Sequence, residues 1–149
     1  MGAIPAITDR RIVALLNKVL GLEISAAAQF RLHARLVRRK GDSAVAERLE
    51  ELAKEEDRHA SVLIDLIAAS GITPKTTPSP ISWPSSPLKI LVQNRKNEVL
   101  SVKVYEKLAA RFDDDKELRR LMLNTAGAER KHIRVLDGLI KRPVKETPK

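Results

Sequence analysis

The chain has 149 residues, 43% of them hydrophobic but only 3% aromatic, with no cysteine and a formal charge of +9. That length suffices for one domain with its own core, and a core of Leu, Ile, Val and Ala suits closely packed helices better than an aromatic-rich sheet. The lack of cysteine excludes a disulfide scaffold, a thiolate zinc site, an iron–sulfur cluster and a cysteine nucleophile, so any chemistry must use oxygen and imidazole groups.

Four segments carry helical periodicity with start and stop signals. The first, about 9–40, has Thr8 or Asp9 as its cap, Gly41 past its end, and a stripe of Leu16, Val19, Leu20, Ala26, Ala27, Phe30, Ala34 and Val37. Its opening residues include Asp9, Arg10, Arg11 and Lys18, and no apolar run in the chain approaches about 18 residues, so a soluble, cytoplasmic protein with no membrane span is expected. The second helix, about 43–70, opens at Asp42 or Ser43, follows Leu49, Leu52, Ala53, Ala60, Leu63 and Ile67, and stops at Gly71.

Residues 71–86 lose the pattern, because Pro74, Pro78, Pro80 and Pro84 cannot sit inside a helix. Ser86-Pro87 then caps a third helix over about 87–112. Asp113, Asp114 and Asp115 separate it from a fourth, about 115–141, which carries Leu118, Leu121, Met122, Ala126, Ile133, Leu136 and Ile140. A short basic tail, 142–149, follows. Short connections make each helix pair an antiparallel hairpin. A helix of about 28 residues is roughly 42 Å long, and about 16 extended residues reach at most about 55 Å, so the linker can cross the whole bundle. The expected fold is all-α: a single four-helix bundle with one long crossover between helices 2 and 3. Trp83 is expected to pin that crossover, His33 to be structural, and the Arg35, Arg38, Arg39 and Lys40 cluster to be a solvated helix end.

The informative residues are acids on faces that should be apolar. Glu23 lies in line with Leu16, Val19, Ala26, Ala27 and Phe30, and Glu56 with Leu49, Leu52, Ala53, Ala60 and Leu63. Glu98 lies in line with Leu91, Val102 and Tyr105, and Glu129 with Met122, Ala126, Ile133 and Leu136. His59 follows Glu56 by three residues, and His132 follows Glu129 by three. Glu23 to Glu56 is 33 residues and Glu98 to Glu129 is 31, so the second hairpin repeats the first. One such Glu is ordinarily a side chain reaching solvent. Four at one level, flanked by two imidazoles, would cost several kcal/mol each if left unpaired, whereas two divalent cations would cancel their charge. Oxygen and nitrogen donors without sulfur suit iron or manganese, and zinc less selectively. Tyr105, two turns beyond Glu98, fits core packing, or an electron or hydrogen-bond donor beside the metals.

These residues carry a resemblance to a known family. Leu20-Gly21-Leu22-Glu23-Ile24, Gln29-Phe30 and Leu32-His33-Ala34-Arg35 resemble the first helix of the ferritin-like diiron-carboxylate superfamily, most closely that of bacterioferritin. Glu56-Asp57-Arg58-His59-Ala60 and Glu129-Arg130-Lys131-His132-Ile133 are similar to its second and fourth helices. The resemblance implies two iron ions per chain, with Glu23 and Glu98 as terminal ligands, Glu56 and Glu129 bridging, and His59 and His132 serving one ion each. It implies a homo-oligomer, at least a dimer. Asp57 stands where bacterioferritin has its haem methionine, and Met1 and Met122 are the only methionines, so no haem is expected. The fifth helix of storage-type members is not expected in the basic tail. Ser101 stands where rubrerythrins carry a further Glu, which weakens a peroxidase reading.

The activity implied is ferroxidase chemistry on Fe(II) with oxygen or peroxide. The alternatives are a diiron oxidase acting on another substrate, which a tunnel to the metals would favour, and a DNA-protecting miniferritin. Nucleic acid is not the favoured partner, because miniferritins build their sites between subunits.

Overall fold

The structure, a computed structural model, describes Ile4 and residues 6–142. It contains four helices, α1 (Arg10–Arg39), α2 (Ser43–Ala69), α3 (Pro87–Arg111) and α4 (Lys116–Lys141). Their starts are chemical: Asp9, Asp42, Ser86 and Asp115 each accept a first-turn backbone N–H, and Pro87 occupies a position where no N–H is needed. Gly41 and Gly71, with φ of 94° and 75°, turn the chain after α1 and α2 in a conformation a side chain would resist. Of the expected basic tail without a fifth helix, 142–149, all but Arg142 lies outside the described residues.

Helix α1 packs along α2 and α3 along α4, while α1 also meets α3 and α2 meets α4. The crossover fixes the direction of the second hairpin. The Lys75 N–H donates to Asn17 Oδ1 at 2.8 Å, the Ser79 N–H to Ser25 Oγ at 2.6 Å and the Ser82 N–H to Gln29 Oε1 at 3.1 Å. The segment therefore climbs α1 from its N-terminal part toward its C-terminal part and delivers α3 to run back down, antiparallel to α1 and parallel to α2. This is the all-α four-helix bundle with one long crossover.

What holds the crossover is a polar stripe on α1: Asn17, Gly21, Ser25, Gln29 and His33, each four residues from the next. His33 is buried, donates from Nε2 to the Ser82 carbonyl at 2.7 Å, and accepts from Asn94 Nδ2 at 2.9 Å. Burial holds its pKa below the ordinary 6.5 against those bonds, as a neutral structural imidazole requires. Gln29 Nε2 donates to Asn94 Oδ1 at 2.9 Å, tying the same network to α3. Trp83 does not pin the segment. It is 61% exposed, with an edge-on ring contact to His33 at 6.4 Å between centroids. An extended strand of backbone has N–H and C=O groups to satisfy, and the stripe supplies their partners.

The apolar core divides in two. Leu16, Leu20, Leu63, Leu66, Leu108 and Met122 belong to one buried cluster, and Phe30, Val37, Leu49, Leu52, Leu91 and Leu136 to the other. By length and composition α1 alone among the described helices could cross a membrane, because a mean hydropathy over the window tolerates Lys18 and Glu23 where an unbroken apolar run would not. Its Leu16, Val19, Leu20 and Phe30 are buried in these clusters. Each fully buried Leu or Phe contributes about 1.5–3 kcal/mol. Ion pairs across each hairpin, Arg31 with Asp57 at 2.8 Å, Arg38 with Glu50 at 2.9 Å and Arg95 with Asp137 at 2.5 Å, lie at the surface, where solvent screens them and they add little stability. Arg38 is thus paired and not merely solvated.

At Gly21 a Cβ would stand 2.5 Å from Thr76 Oγ1 and 3.0 Å from the Thr77 carbonyl. An alanine there would recover part of this clash through helix propensity, but a valine would not. Gly21→Val is expected to lower unfolding stability by about 2 kcal/mol. Denaturant titration checks this, and an unchanged midpoint would show that the crossover does not bear on α1 there.

Candidate metal centre

Along every helix, one Glu lies between the two apolar clusters: Glu23 between Leu20 and Phe30, Glu56 between Ala53 and Ala60, Glu98 between Leu91 and Tyr105, Glu129 between Ala126 and Leu136. All four are buried, with 2% exposure or less, and His132 is equally buried. His59 is the outermost of the group, its side chain 14% exposed. The bundle thus brings all six residues singled out in the sequence into one layer.

Their donor atoms form two overlapping sets. Glu23, Glu56, His59 and Glu129 place one atom each within 4.8 Å of one another, and so do Glu56, Glu98, Glu129 and His132. Glu56 and Glu129 belong to both. Each imidazole turns Nδ1 inward between them: His59 Nδ1 lies 3.1 Å from Glu56 Oε2 and 3.2 Å from Glu129 Oε1, and His132 Nδ1 lies 2.9 Å from Glu56 Oε1 and 3.0 Å from Glu129 Oε2. The two rings stack at 5.8 Å with planes 18° apart. Several of these contacts lack hydrogen-bonding geometry. Glu56 Oε1, Glu98 Oε2, both Glu129 oxygens and His132 Nδ1 are buried without a hydrogen-bond partner. Such orphaned donors, converging on common points, fit cations and would be costly as a resting arrangement of protein groups alone.

Without a cation, the charges sort themselves between the groups. Burial, then the charges of Glu56 and Glu129, lifts Glu23 well above its ordinary 4.5. Burial likewise lifts Glu98, and the pull of His132 does not offset it. For Glu56 and Glu129 burial pushes upward too, but the neighbouring His132 and His59 outweigh it and hold both carboxylates below the ordinary value. The same contacts overcome the downward push of burial on the imidazoles: His59 is pushed up to about 9, and His132 is also raised.

Two supporting contacts lie beyond the six. Buried Tyr105 donates a hydrogen bond from its hydroxyl to Glu23 Oε1, so its polar end meets the cluster while its ring packs in the core. His132 donates from Nε2 to Glu55 Oε2 at 2.7 Å, which fixes the ring and leaves Nδ1 facing inward. Sequence reasoning missed Glu55 because it points off the apolar face of its own helix. The signal available was the doubled acid, Glu55-Glu56. The repeat is imperfect here, for the residue before Glu129 is Ala128, and among the described residues no carboxylate supports the outer nitrogen of His59. Asp57, at the position of the haem methionine in the resemblance, pairs with Arg31 on the surface.

The ferritin-like domain family matches residues 13–143, a span that takes in α1 from Val13 onward, the other three helices and all six residues. The chain belongs to the ferritin-like family. No curated protein matches it in sequence. Members of the family typically bind iron and form oligomers.

The protonation pattern gives the metal-free protein a pH dependence. His59 has a folded value of about 9 against 6.5 for the free side chain. The stability it contributes is full below pH 6.5 and is lost as pH rises through about 9, and deprotonation of Glu23 and Glu98, whose values are also raised, acts in the same direction. Chelator-treated protein should therefore lose roughly 3 kcal/mol from His59 alone across that interval. Denaturant midpoints measured at successive pH values test this, and a flat profile would contradict the assigned charges.

Proposed function

We propose that this protein is a diiron-carboxylate oxidoreductase of ferroxidase type, most like bacterioferritin, that oxidises Fe(II) with oxygen or peroxide. The observation that carries the reading is the pair of donor sets sharing Glu56 and Glu129. Glu23 and His59 complete one set, and Glu98 and His132 the other. When bound, iron supplies the electrons for reduction of oxygen or peroxide, one from each of two ions.

The residues do the rest. Glu56 and Glu129 belong to both donor sets and would neutralise one charge on each of two bound ions. Their two oxygens allow them to change binding mode as charge at the centre rises. Glu23 and Glu98 cap opposite ends, releasing the protons that burial keeps on them in the metal-free protein. Tyr105 orients Glu23 and Glu55 orients His132. The apolar clusters on either side keep bulk water from the layer, so positioning and charge compensation are the protein's contribution. All six groups belong to one chain, which favours this reading over a miniferritin site shared between subunits.

Rapid mixing of the anaerobic, Fe(II)-loaded protein with oxygen tests the reading. Glu56→Ala and Glu129→Ala are expected to slow oxidation by more than the roughly 10–100-fold that loss of an outer support costs. Each substitution removes one carboxylate that balances the buried imidazoles, a cost the partly exposed His59 can relieve by losing its proton, and thermal transitions of the metal-free variants check that they remain folded. Oxidation at the wild-type rate in either variant would overturn the assignment.

A further inference from the structure

A cavity of about 540 Å³ opens between α1, the crossover and α3, within the roughly 300–1,000 Å³ range of small-molecule sites. Its lining changes character with depth. Leu22 and Leu100, 42% and 54% exposed, stand at its mouth, and Ala26 and Val104 line it further in. Its floor reaches buried Glu98, the candidate ligand supplied by α3. Ser101, one turn beyond Glu98, presents a small side chain that leaves this floor open.

The mouth carries charge of one sign. Lys103 and Lys107, four residues apart on one face of α3, both line the cavity and are exposed. Among the described residues neither ammonium has a carboxylate partner, and the nearby Glu106 is engaged by Arg130. An apolar wall with two unpaired cations at its rim is complementary to a molecule with an apolar body and an anionic head.

We propose that this cavity binds a monoanionic amphiphile, of the size of a medium-chain carboxylate, with its head at Lys103 and Lys107 and its body against Leu22, Ala26, Leu100 and Val104. A molecule so held lies beside Glu98 and has access to the centre from the α1–α3 side. That last step rests on the reading of the centre given above, whereas binding itself does not.

The test uses the full chain and decanoate as probe, with decanol as a neutral control. Calorimetric titration of the metal-free protein should show one saturable site, at least about tenfold tighter for decanoate than for decanol. Binding should weaken about tenfold or more in the double variant K103E/K107E, and be lost in Ser101→Phe, which fills the floor without altering charge. Added to Co(II)-loaded protein, decanoate should change the visible Co(II) spectrum, and K103E/K107E should take up Co(II) normally. No saturable binding up to about 1 mM decanoate, or equal binding of decanol and of the two variants, would overturn the proposal. Decanoate binding with these dependences but no Co(II) uptake would support the cavity site and contradict the centre instead.

Discussion

A core layer holding four carboxyl groups and two imidazoles is stable only if its net charge stays near zero. Left ionised and unpaired, each carboxylate would cost several kcal/mol in lost hydration. The metal-free protein meets the constraint with protons: Glu56 and Glu129 are ionised, His59 and His132 are cationic, and Glu23 and Glu98 are lifted toward their neutral forms. Two divalent cations meet it differently, by balancing four carboxylates and leaving both imidazoles neutral. The two arrangements are electrically equivalent, which is why a single fold can accommodate both.

The remaining architecture serves that layer. Each helix contributes one Glu at the junction of the two apolar clusters, so water is excluded above and below while the donor atoms face one another. The antiparallel hairpins set the pseudo-two-fold arrangement in which Glu56 and Glu129 fall between the other four groups. The crossover makes this possible by returning the chain along α1, and its backbone is satisfied there by Asn17, Ser25, Gln29 and the Ser82 contact with His33. Departures from two-fold symmetry then distinguish the halves. His132 is buried and buttressed by Glu55, while the His59 side chain is partly exposed, and the cavity between α1 and α3 is lined by Glu98 and not by Glu23.

The elements and the six central residues were legible in the sequence because each violates or completes a local pattern. Asp9, Asp42, Ser86 with Pro87, and Asp115 stand where helices need caps, and a Glu flanked by apolar residues at three, four and seven positions is conspicuous within its own helix. Contacts between helices were not legible in the same way. The approach of Glu55 to His132 and of Tyr105 to Glu23 depends on the relative register of two hairpins, which no spacing within one helix encodes. The crossover's anchor was misread for a different reason. Trp83 attracts attention as an aromatic residue in a polar segment, yet an extended backbone needs hydrogen-bond partners more than an apolar contact. Gly21, Ser25 and Gln29 supply the path and the partners while looking like unremarkable helix positions.

On this reading two cations replace four protons in the layer. Anaerobic titration of chelator-treated protein with Fe(II) near pH 7, in weakly buffered solution, measures ions bound and protons released together. Saturation is expected at about two ions per chain with release of about four protons, one each from Glu23, Glu98, His59 and His132. Saturation at one ion or none, or binding of two ions without proton release, would contradict it.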